Sequence, residues 1–257
     1  MLDSARFCGE LLLAKGCKEM CDSVISSVTD DAPRWSMRET FAHIYESRML
    51  ALGDSGTVGA EIDSRSGTGS NLTQTAALRA ELPALVADLE VRSFLDVPCG
   101  DLFWMSRVDL GIDTYIGADI VPAVIDRNRE RFARSNREFQ GIDLTRDRLP
   151  QVDLVFSRDC LVHFGDEDVR RALANIKGSG STYLAMTTFP DHPENGADIE
   201  TGAWRPLNFE LAPFLLPKPF RLINEQCTEV DVITENGAEV EHRYSDKSIG
   251  VWRIAEL

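Results

Sequence analysis

The sequence has 257 residues, which is enough for one α/β domain with additional segments and a full hydrophobic core. Its formal net charge is −15 without any run of Lys and Arg, which argues against nucleic acid as a partner. The chain has no apolar stretch of membrane-spanning length and no signal-peptide pattern, so we expect a cytoplasmic protein without membrane contact. Its six cysteines include no C-x-x-C pair, so we expect reduced cysteines and no metal site.

The first 70 residues are predicted to form a helical N-terminal extension that ends in a loop. Apolar residues recur at helical spacing over 7–28 and again over 36–52, with a polar connection between them. Residues 53–70 are rich in Gly, Ser and Asp and predict a loop. Two interpretations of the extension stay open, a cap that serves as a lid over an active site or a segment that only packs against the domain.

The end of this loop is a run of small residues, Ser64 to Ser70, that precedes the next helix. Backbone N–H groups of such a run can surround an anion, so Ser66 and Arg65 are candidates for contacting a cofactor carboxylate or a substrate. A flexible linker is the alternative. Residues 71–89 predict a helix with one apolar face, in which Pro83 causes a kink or starts a second segment. We place the main domain at residues 71–257.

The stretch FLDVPCGDLFW, residues 94–104, predicts a buried strand, a tight turn and the start of a helix. Asp96 puts a charge at the end of the strand, where a buried strand should have none. Gly100 lacks a Cβ, so backbone can approach a ligand there or take a positive φ. In doubly wound sheets, a strand that leads through a compact turn into a helix presents backbone N–H groups to a ligand.

This stretch resembles motif I of the class I S-adenosylmethionine (SAM) dependent methyltransferases, in which an acidic residue ends strand 1 and a Gly-x-Gly-x-Gly turn follows. Aligned on that pattern, Pro98 replaces the first glycine, Gly100 is the middle one and Leu102 replaces the last. The D-x-P-C-G-D turn and a later R-D-x-L-V-H segment are similar to a subgroup of small bacterial methyltransferases. The resemblance covers about residues 90–257 and implies SAM as the cofactor.

Two further predicted strands also end in an aspartate. Residues 115–120 contain Asp119, 23 residues beyond Asp96, a spacing that suits a βαβ unit whose carboxylate meets ribose hydroxyls. Residues 139–144 predict the third strand and contain Asp143, which the resemblance implies as the acceptor for the adenine amino group. Open α/β sheets bind ligands at the carboxyl ends of their strands, so the three aspartates should face polar groups of the ligand.

Residues 152–156 predict the fourth strand, and the segment after it resembles motif IV of the same family, where a residue faces both methyl donor and acceptor. His163 is the candidate general base because an unperturbed histidine has a pKa near ~6.5, and a structural histidine is the alternative. Asp159 is the second catalytic candidate, as a base or as the residue that orients the acceptor. Arg158 either holds that aspartate or binds an anionic group.

The chain after the fifth strand, predicted over 181–190, helps to build the acceptor pocket in the resembled family. Trp204, Arg205 and Asn208 are therefore the substrate-side candidates together with Arg65, and a structural loop is the alternative. Residues 220–227 and 248–254 predict two strands of an antiparallel hairpin that closes the sheet. The acidic segment between these two strands is rich in turn residues.

These elements together predict an α/β fold, a Rossmann-like seven-stranded and mostly parallel sheet with an antiparallel last strand, plus the N-terminal helical cap. The resemblance implies an enzyme that transfers the SAM methyl group to a small-molecule acceptor, and His163 favours oxygen as the accepting atom. N-methylation and a SAM-binding protein without turnover are the alternatives. A Rossmann oxidoreductase would need G-x-G-x-x-G after strand 1, which PCGDLF does not contain.

Whether the protein forms a homodimer stays open. The predicted cofactor contacts are Ser66, Asp96, Pro98, Cys99, Gly100, Asp101, Asp119, Ile120, Asp143, Leu144 and Arg158.

Overall fold

The structure is a computed structural model that describes residues 35–52, 64–235 and 238–257. Its strands are β1 (Ser93–Asp96), β2 (Thr114–Asp119), β3 (Arg137–Gly141), β4 (Leu154–Ser157), β5 (Tyr183–Thr188), β6 (Arg221–Asn224), β7 (Val230–Glu235), β8 (Ala238–Arg243) and β9 (Ser248–Arg253). Its α-helices are α1 (Met37–Leu52), α2 (Ala76–Asp88), α3 (Pro122–Phe132) and α4 (Asp166–Gly178).

Seven of these strands form one sheet, in the spatial order β3-β2-β1-β4-β5-β9-β6. The first five strands pair in parallel, and β9 lies antiparallel between β5 and β6. The predicted Rossmann-like sheet with an antiparallel last strand is therefore confirmed. The strand order reverses between β1 and β4, and open α/β sheets bind their ligands at such a point.

The two faces of the sheet each carry a hydrophobic core. Successive residues of β1 alternate between them, with Phe94 in one core and Leu95 in the other, and both are fully buried. Helix α2 buries Leu78 and Leu82 in the core that contains Phe94, while α4 buries Ile176 in the opposite one. Coverage on both faces explains why the parallel strands read as continuous apolar runs rather than alternating ones.

The residues after β1 differ from the prediction of a helix. Only a 3₁₀ turn, Met105–Arg107, follows the motif I turn. Leu102 has a φ of 57°, in the left-handed region, so a right-handed helix cannot begin there. Helix α2 continues through Pro83 without starting a second segment.

A two-stranded hairpin, β7–β8, occupies the acidic segment between β6 and β9, which the sequence describes as rich in turn residues. Its apolar and acidic residues alternate, as in a half-exposed strand pair. Helix α1 confirms the helix predicted over 36–52. The helix predicted over 7–28 and most of the predicted loop lie outside the described residues, and the domain boundary at residue 71 stays a prediction. No helix in the described ranges is long and apolar enough to cross a membrane.

Candidate active site

A cavity of about 720 Å³ lies at the carboxyl ends of β1, β2 and β4, where the strand order reverses. Helix α1 and residues 64–70 form part of its wall. The predicted site residues that line it are Arg65, Ser66, Asp96, Pro98, Cys99, Gly100, Asp101, Asp119, Ile120, Leu144, Arg158, Asp159, His163 and Trp204. The predicted residues Asp143, Arg205 and Asn208 are not among its lining residues.

The motif I turn brings backbone close to the cavity at Gly100, whose φ is 53°. A Cβ at this position would overlap the hydroxyl group of Ser66, so only glycine fits both the dihedral angle and the space. The Gly100 amide donates a hydrogen bond to the Asp119 carboxylate (3.2 Å), and the neighbouring Cys99 amide donates one to the Ala118 carbonyl (2.7 Å). The turn is thereby attached to the end of β2.

Asp96 is a buried carboxylate at the end of β1, only 3% exposed. The pKa of Asp96 is raised to about 7, chiefly by burial and further by the negative charge of Asp119. The hydrogen bond that the Tyr115 hydroxyl donates to Asp96 lowers this pKa. Asp96 therefore lacks a cation strong enough to offset its burial, and a positively charged ligand in the cavity would supply one.

Asp119 lies at the end of β2 and accepts hydrogen bonds from the amides of Val121 (2.9 Å) and Gly100 (3.2 Å). Burial raises its pKa to about 6, while the backbone amides lower it. Each carboxylate oxygen has about two lone-pair directions, so an ionised Asp119 can accept further bonds from the two hydroxyls of a ribose.

Asp143 has a different role from the predicted one. Strand β3 ends at Gly141, and the carboxylate of Asp143 turns back onto its own loop, where it accepts from the Thr145 amide (3.0 Å) and hydroxyl (2.6 Å) and pairs with Arg146 (2.8 Å). These contacts engage both of its oxygens. The structure therefore does not support Asp143 as the adenine contact, and Leu144 lines the cavity in its place.

Arg205 and Asn208 are structural, which corrects their assignment to the substrate. The Arg205 guanidinium donates to Asp166 (2.6 Å) and to the Ala197 carbonyl (2.9 Å). The Asn208 amide donates to two loop carbonyls, those of Pro190 and His192, both at 3.0 Å. Both side chains are buried in the loop after β5 and hold its shape.

A network of four charges, three of them buried and Asp159 half-buried, lies beside the cavity. Arg158 pairs with Asp159 (3.0 Å) and donates through Nε to Glu225 (3.0 Å), and Lys247 donates to Asp159 (2.8 Å). Burial opposes ionisation of Asp159, but Arg158 and Lys247 outweigh it and lower the pKa of this carboxyl to about 2. Asp159 is thus a poor base at neutral pH, which leaves the orienting role. The sequence interpretation missed Glu225 and Lys247.

His163 ends a 3₁₀ turn, Leu161–His163, and lines the cavity. Its Nδ1 lies 2.9 Å from the carbonyl oxygen of Ala203. A carbonyl only accepts hydrogen bonds, so Nδ1 carries a proton and the lone pair of a neutral imidazole is on Nε2. The ring is therefore held in the tautomer that a base acting through Nε2 requires.

An aromatic wall, made of Phe189, Trp204 and Tyr244, forms another part of the cavity. The rings pack edge to face, with centroids 6.1 Å apart for Phe189 and Trp204 and 4.9 Å apart for Trp204 and Tyr244. Beside them lie two carboxylates that the sequence interpretation missed, Glu229 and Asp231, and Asp231 accepts a hydrogen bond from the Tyr244 hydroxyl (2.9 Å).

Comparison with known proteins connects this architecture with a reaction. Residues 94–179, about a third of the chain, match the family model described as "Methyltransferase domain". No curated protein sequence matches the chain. The structure is similar to the N-methyltransferase NodS from Bradyrhizobium japonicum WM9 in complex with S-adenosylhomocysteine (SAH), at 14% identity over 82% of this chain and 97% of that one, with a TM-score of 0.50.

Two further solved structures are similar at lower TM-scores. The magnesium protoporphyrin IX methyltransferase ChlM from Synechocystis PCC 6803 with bound SAM has 13% identity over 88% of this chain and 99% of that one, at 0.49. The methyltransferase domain of a bacterial Hen1, CtHen1-CN, has 12% identity and a TM-score of 0.40, and the match covers 45% of this chain and 66% of that one.

Residues 94–179 match a methyltransferase domain, and the Rossmann-like fold around them is shared with the SAH-bound NodS structure, which agrees with the expected SAM-dependent enzyme and its SAM cofactor. The residues present fit SAM. Two buried carboxylates, Asp96 and Asp119, face a cavity in which a cationic ligand would neutralise them, and Gly100 provides close backbone approach. The narrower likeness to the D-x-P-C-G-D subgroup stays a prediction.

Proposed function

We propose that this enzyme methylates an oxygen atom of a small-molecule acceptor, with His163 as the general base. The observation that carries the proposal is the position of His163 on the cavity wall, with Nδ1 held at the Ala203 carbonyl. When bound, SAM supplies a methyl group that is already activated by its sulfonium. The chain must bind the acceptor, align its oxygen, exclude water and take the proton.

Positioning of the reactants and proton removal contribute different amounts to the rate. Holding two reactants in line can contribute on the order of 7–11 kcal/mol in favourable cases. A well-placed base contributes about 10²–10⁴-fold in rate. The ionised Asp159 lines the same wall, where Arg158 and Lys247 fix its carboxylate, and it supports the proposal as an orienting group for an acceptor hydroxyl.

The cavity wall supports a small acceptor and a role for the N-terminal extension. Met37, Phe41, Ile44 and Tyr45 of α1 line the cavity, and Phe41 packs against Phe164 with ring centroids 6.0 Å apart. We therefore propose that residues 1–70 form the cap and that 71–257 form the methyltransferase domain. The −15 net charge supports neither nucleic acid nor an anionic membrane as a partner.

The test is turnover of SAM to SAH with a panel of phenols, alcohols, carboxylic acids and amines. With an oxygen acceptor found by this screen, His163→Gln should lower kcat about 10²–10⁴-fold at pH 7 and leave the SAM dissociation constant unchanged. His192→Gln is the matched control because His192 pairs with Asp246 (3.4 Å) and does not line the cavity. A His163→Gln enzyme with full kcat at pH 7 would refute the base.

N-methylation is the second candidate, and the carboxylates beside the aromatic wall favour it. Glu229 and Asp231 line the same cavity as Trp204, and carboxylates together with an aromatic ring can bind an ammonium group through charge and cation–π attraction. A neutral amine attacks without a base, so turnover of an amine would be insensitive to His163→Gln. The same panel therefore separates the two candidates by acceptor class and by the response to one substitution.

A further inference from the structure

Residues 64–70, here called the strap, cross one side of the cavity and line it along their whole length. They connect two parts of the site that are far apart in sequence, the motif I turn and the charged network after β4. At the motif I end, the strap contacts Gly100 and Asp101. At the other end, it contacts Arg158 and Glu229.

Asp101 holds the motif I end of the strap. One carboxylate oxygen accepts hydrogen bonds from the hydroxyls of Ser64 (2.9 Å) and Ser66 (3.3 Å), and the other accepts one from the amide of Arg65 (2.7 Å). The amide of Asp101 in turn donates to the Ser66 hydroxyl (2.8 Å). The carboxylate that the sequence interpretation assigned to direct cofactor contact is thus largely engaged by the strap.

Gly100 makes room for this arrangement. A Cβ there would overlap the Ser66 hydroxyl, so the same glycine that allows close approach to a ligand also admits the strap. The sequence pair Gly100–Asp101 therefore has two linked uses, since the first residue leaves space for the strap and the second residue holds it.

The far end of the strap is attached to the acceptor side of the cavity. Arg158 donates to the carbonyl of Gly69 (2.8 Å), and the hydroxyl of Thr68 donates to Glu229 (2.7 Å). A Cβ at Gly69 would lie 3.3 Å from Asp159, tight enough to disturb the orienting carboxylate. A single seven-residue segment thus contacts both the motif I turn and the groups proposed to hold the acceptor.

We propose that Asp101 is a positioning residue, which clasps the strap to the motif I turn and so couples SAM binding to the order of the acceptor side at Thr68 and Gly69. The acceptor side is the part of the cavity wall that carries Asp159 and Glu229, and the inference rests on the proposed function to that extent. A segment held at both ends loses less conformational freedom at its second contact once the first is formed, so ordering one end favours order at the other.

The test substitution is Asp101→Asn, which keeps the size of the side chain and removes its charge. One of its two oxygens becomes an NH₂ group, which can only donate, so at least one strap contact is lost. We expect the SAM dissociation constant to rise about tenfold or more, as for loss of a charged hydrogen bond. Asp109→Asn is the matched control, because Asp109 is exposed and, within the described residues, accepts from its own turn at Gly111 (3.1 Å).

Hydrogen exchange gives a second measurement that does not depend on activity. In the wild type, saturating SAH should slow amide exchange at Thr68, Gly69 and Ser70. In Asp101→Asn, SAH at a concentration that saturates the variant should leave exchange at these amides unchanged, while exchange in β1 and β4 stays as in the wild type. If Asp101→Asn does not fold, Ser66→Ala removes the hydroxyl at the centre of the clasp and takes its place.

Two results would overturn the inference. The first is SAM affinity within about twofold of the wild type in a folded variant whose strap exchanges faster, which would make the clasp merely structural. The second is equal SAH protection of residues 68–70 in wild type and variant. Failure of every acceptor in the turnover screen would bear on the proposed function alone, because both measurements here use only SAM or SAH.

Discussion

Lowering the pH from 7 to 6 should weaken SAM binding through two carboxylates of the motif I region. Asp96 and Asp119 have pKa values of about 7 and about 6, chiefly because burial disfavours their charge. The groups that act on Asp96 are the Tyr115 hydroxyl, the Asp119 carboxylate and the guanidinium groups of Arg137 and Arg158. A cationic cofactor binds the ionised carboxylates, so protonation competes with it.

The size of the effect follows from the two titrations. Between pH 7 and pH 6 the ionised fraction of Asp96 falls from about one half to about one tenth, and that of Asp119 from about nine tenths to about one half. If SAM binds only the doubly ionised form, its dissociation constant rises about tenfold, or about 1.4 kcal/mol. The α-amino group of the cofactor, with an ordinary pKa near ~7.7–8.0, stays mostly protonated over this interval.

Calorimetric titration with SAM at the two pH values, in buffers of different ionisation enthalpy, measures both the affinity and the protons released. Asp96→Asn is the control variant, and its pH effect should shrink to the roughly twofold contribution of Asp119. A wild-type dissociation constant that changes by less than about twofold would contradict the assignment of these two carboxylates to cofactor binding.

The same two carboxylates affect the free energy of unfolding with a defined sign. Their pKa values in the folded protein lie above the ordinary 3.8, so the folded state binds more protons than the unfolded state between about pH 4 and pH 7. Their contribution to stability is therefore fully present below about pH 4 and is lost as the pH rises through 6 and 7. SAM should accordingly raise the melting temperature more at pH 7 than at pH 6.

Two further substitutions test the site. Asp119→Asn should raise the SAM dissociation constant about 10–100-fold, because a charged acceptor for two hydroxyls becomes a neutral one, and unchanged affinity in a titration would remove the ribose assignment. Gly100→Ala should lower the free energy of unfolding by about 1–3 kcal/mol, because alanine at a φ of 53° is strained and its Cβ overlaps Ser66. Gly178→Ala is its control in thermal unfolding, since nothing lies within 4 Å of a Cβ there.

The strands and their terminal aspartates could be predicted because their signals are local. Asp96 and Asp119 each interrupt a short apolar run, and both lie on the cavity. The error at Asp143 was also readable from the sequence, since an aspartate two residues before Thr145 commonly accepts from that residue's amide and hydroxyl in a turn. The alternation of apolar and acidic residues in 230–243 likewise indicates a hairpin.

Other features had no local signal. Glu225 lies 67 residues from Arg158, and Lys247 lies 88 residues from Asp159, so only the folded sheet brings these charges together. The left-handed backbone at Leu102 could not be predicted from the residue type, because leucine rarely adopts this conformation. A polar residue in a loop can either contact a substrate or hold the loop together, and the sequence does not distinguish these two roles. Arg205 has the second role.

The β7–β8 hairpin forms part of the cavity wall although it lies outside the main sheet. The segment leaves the sheet after β6 and returns before β9, and the Glu225 amide donates to the Lys247 carbonyl (2.9 Å) where it departs and rejoins. This bond extends the antiparallel pairing of β6 with β9, in which Asn224 lies opposite Ser248. Glu229 and Asp231 belong to this excursion, whereas Asp96 and Asp119 belong to the sheet. Because Glu229 also accepts a hydrogen bond from Thr68 of the strap, a change in this segment would act on the cavity wall and, through the strap, on the motif I turn.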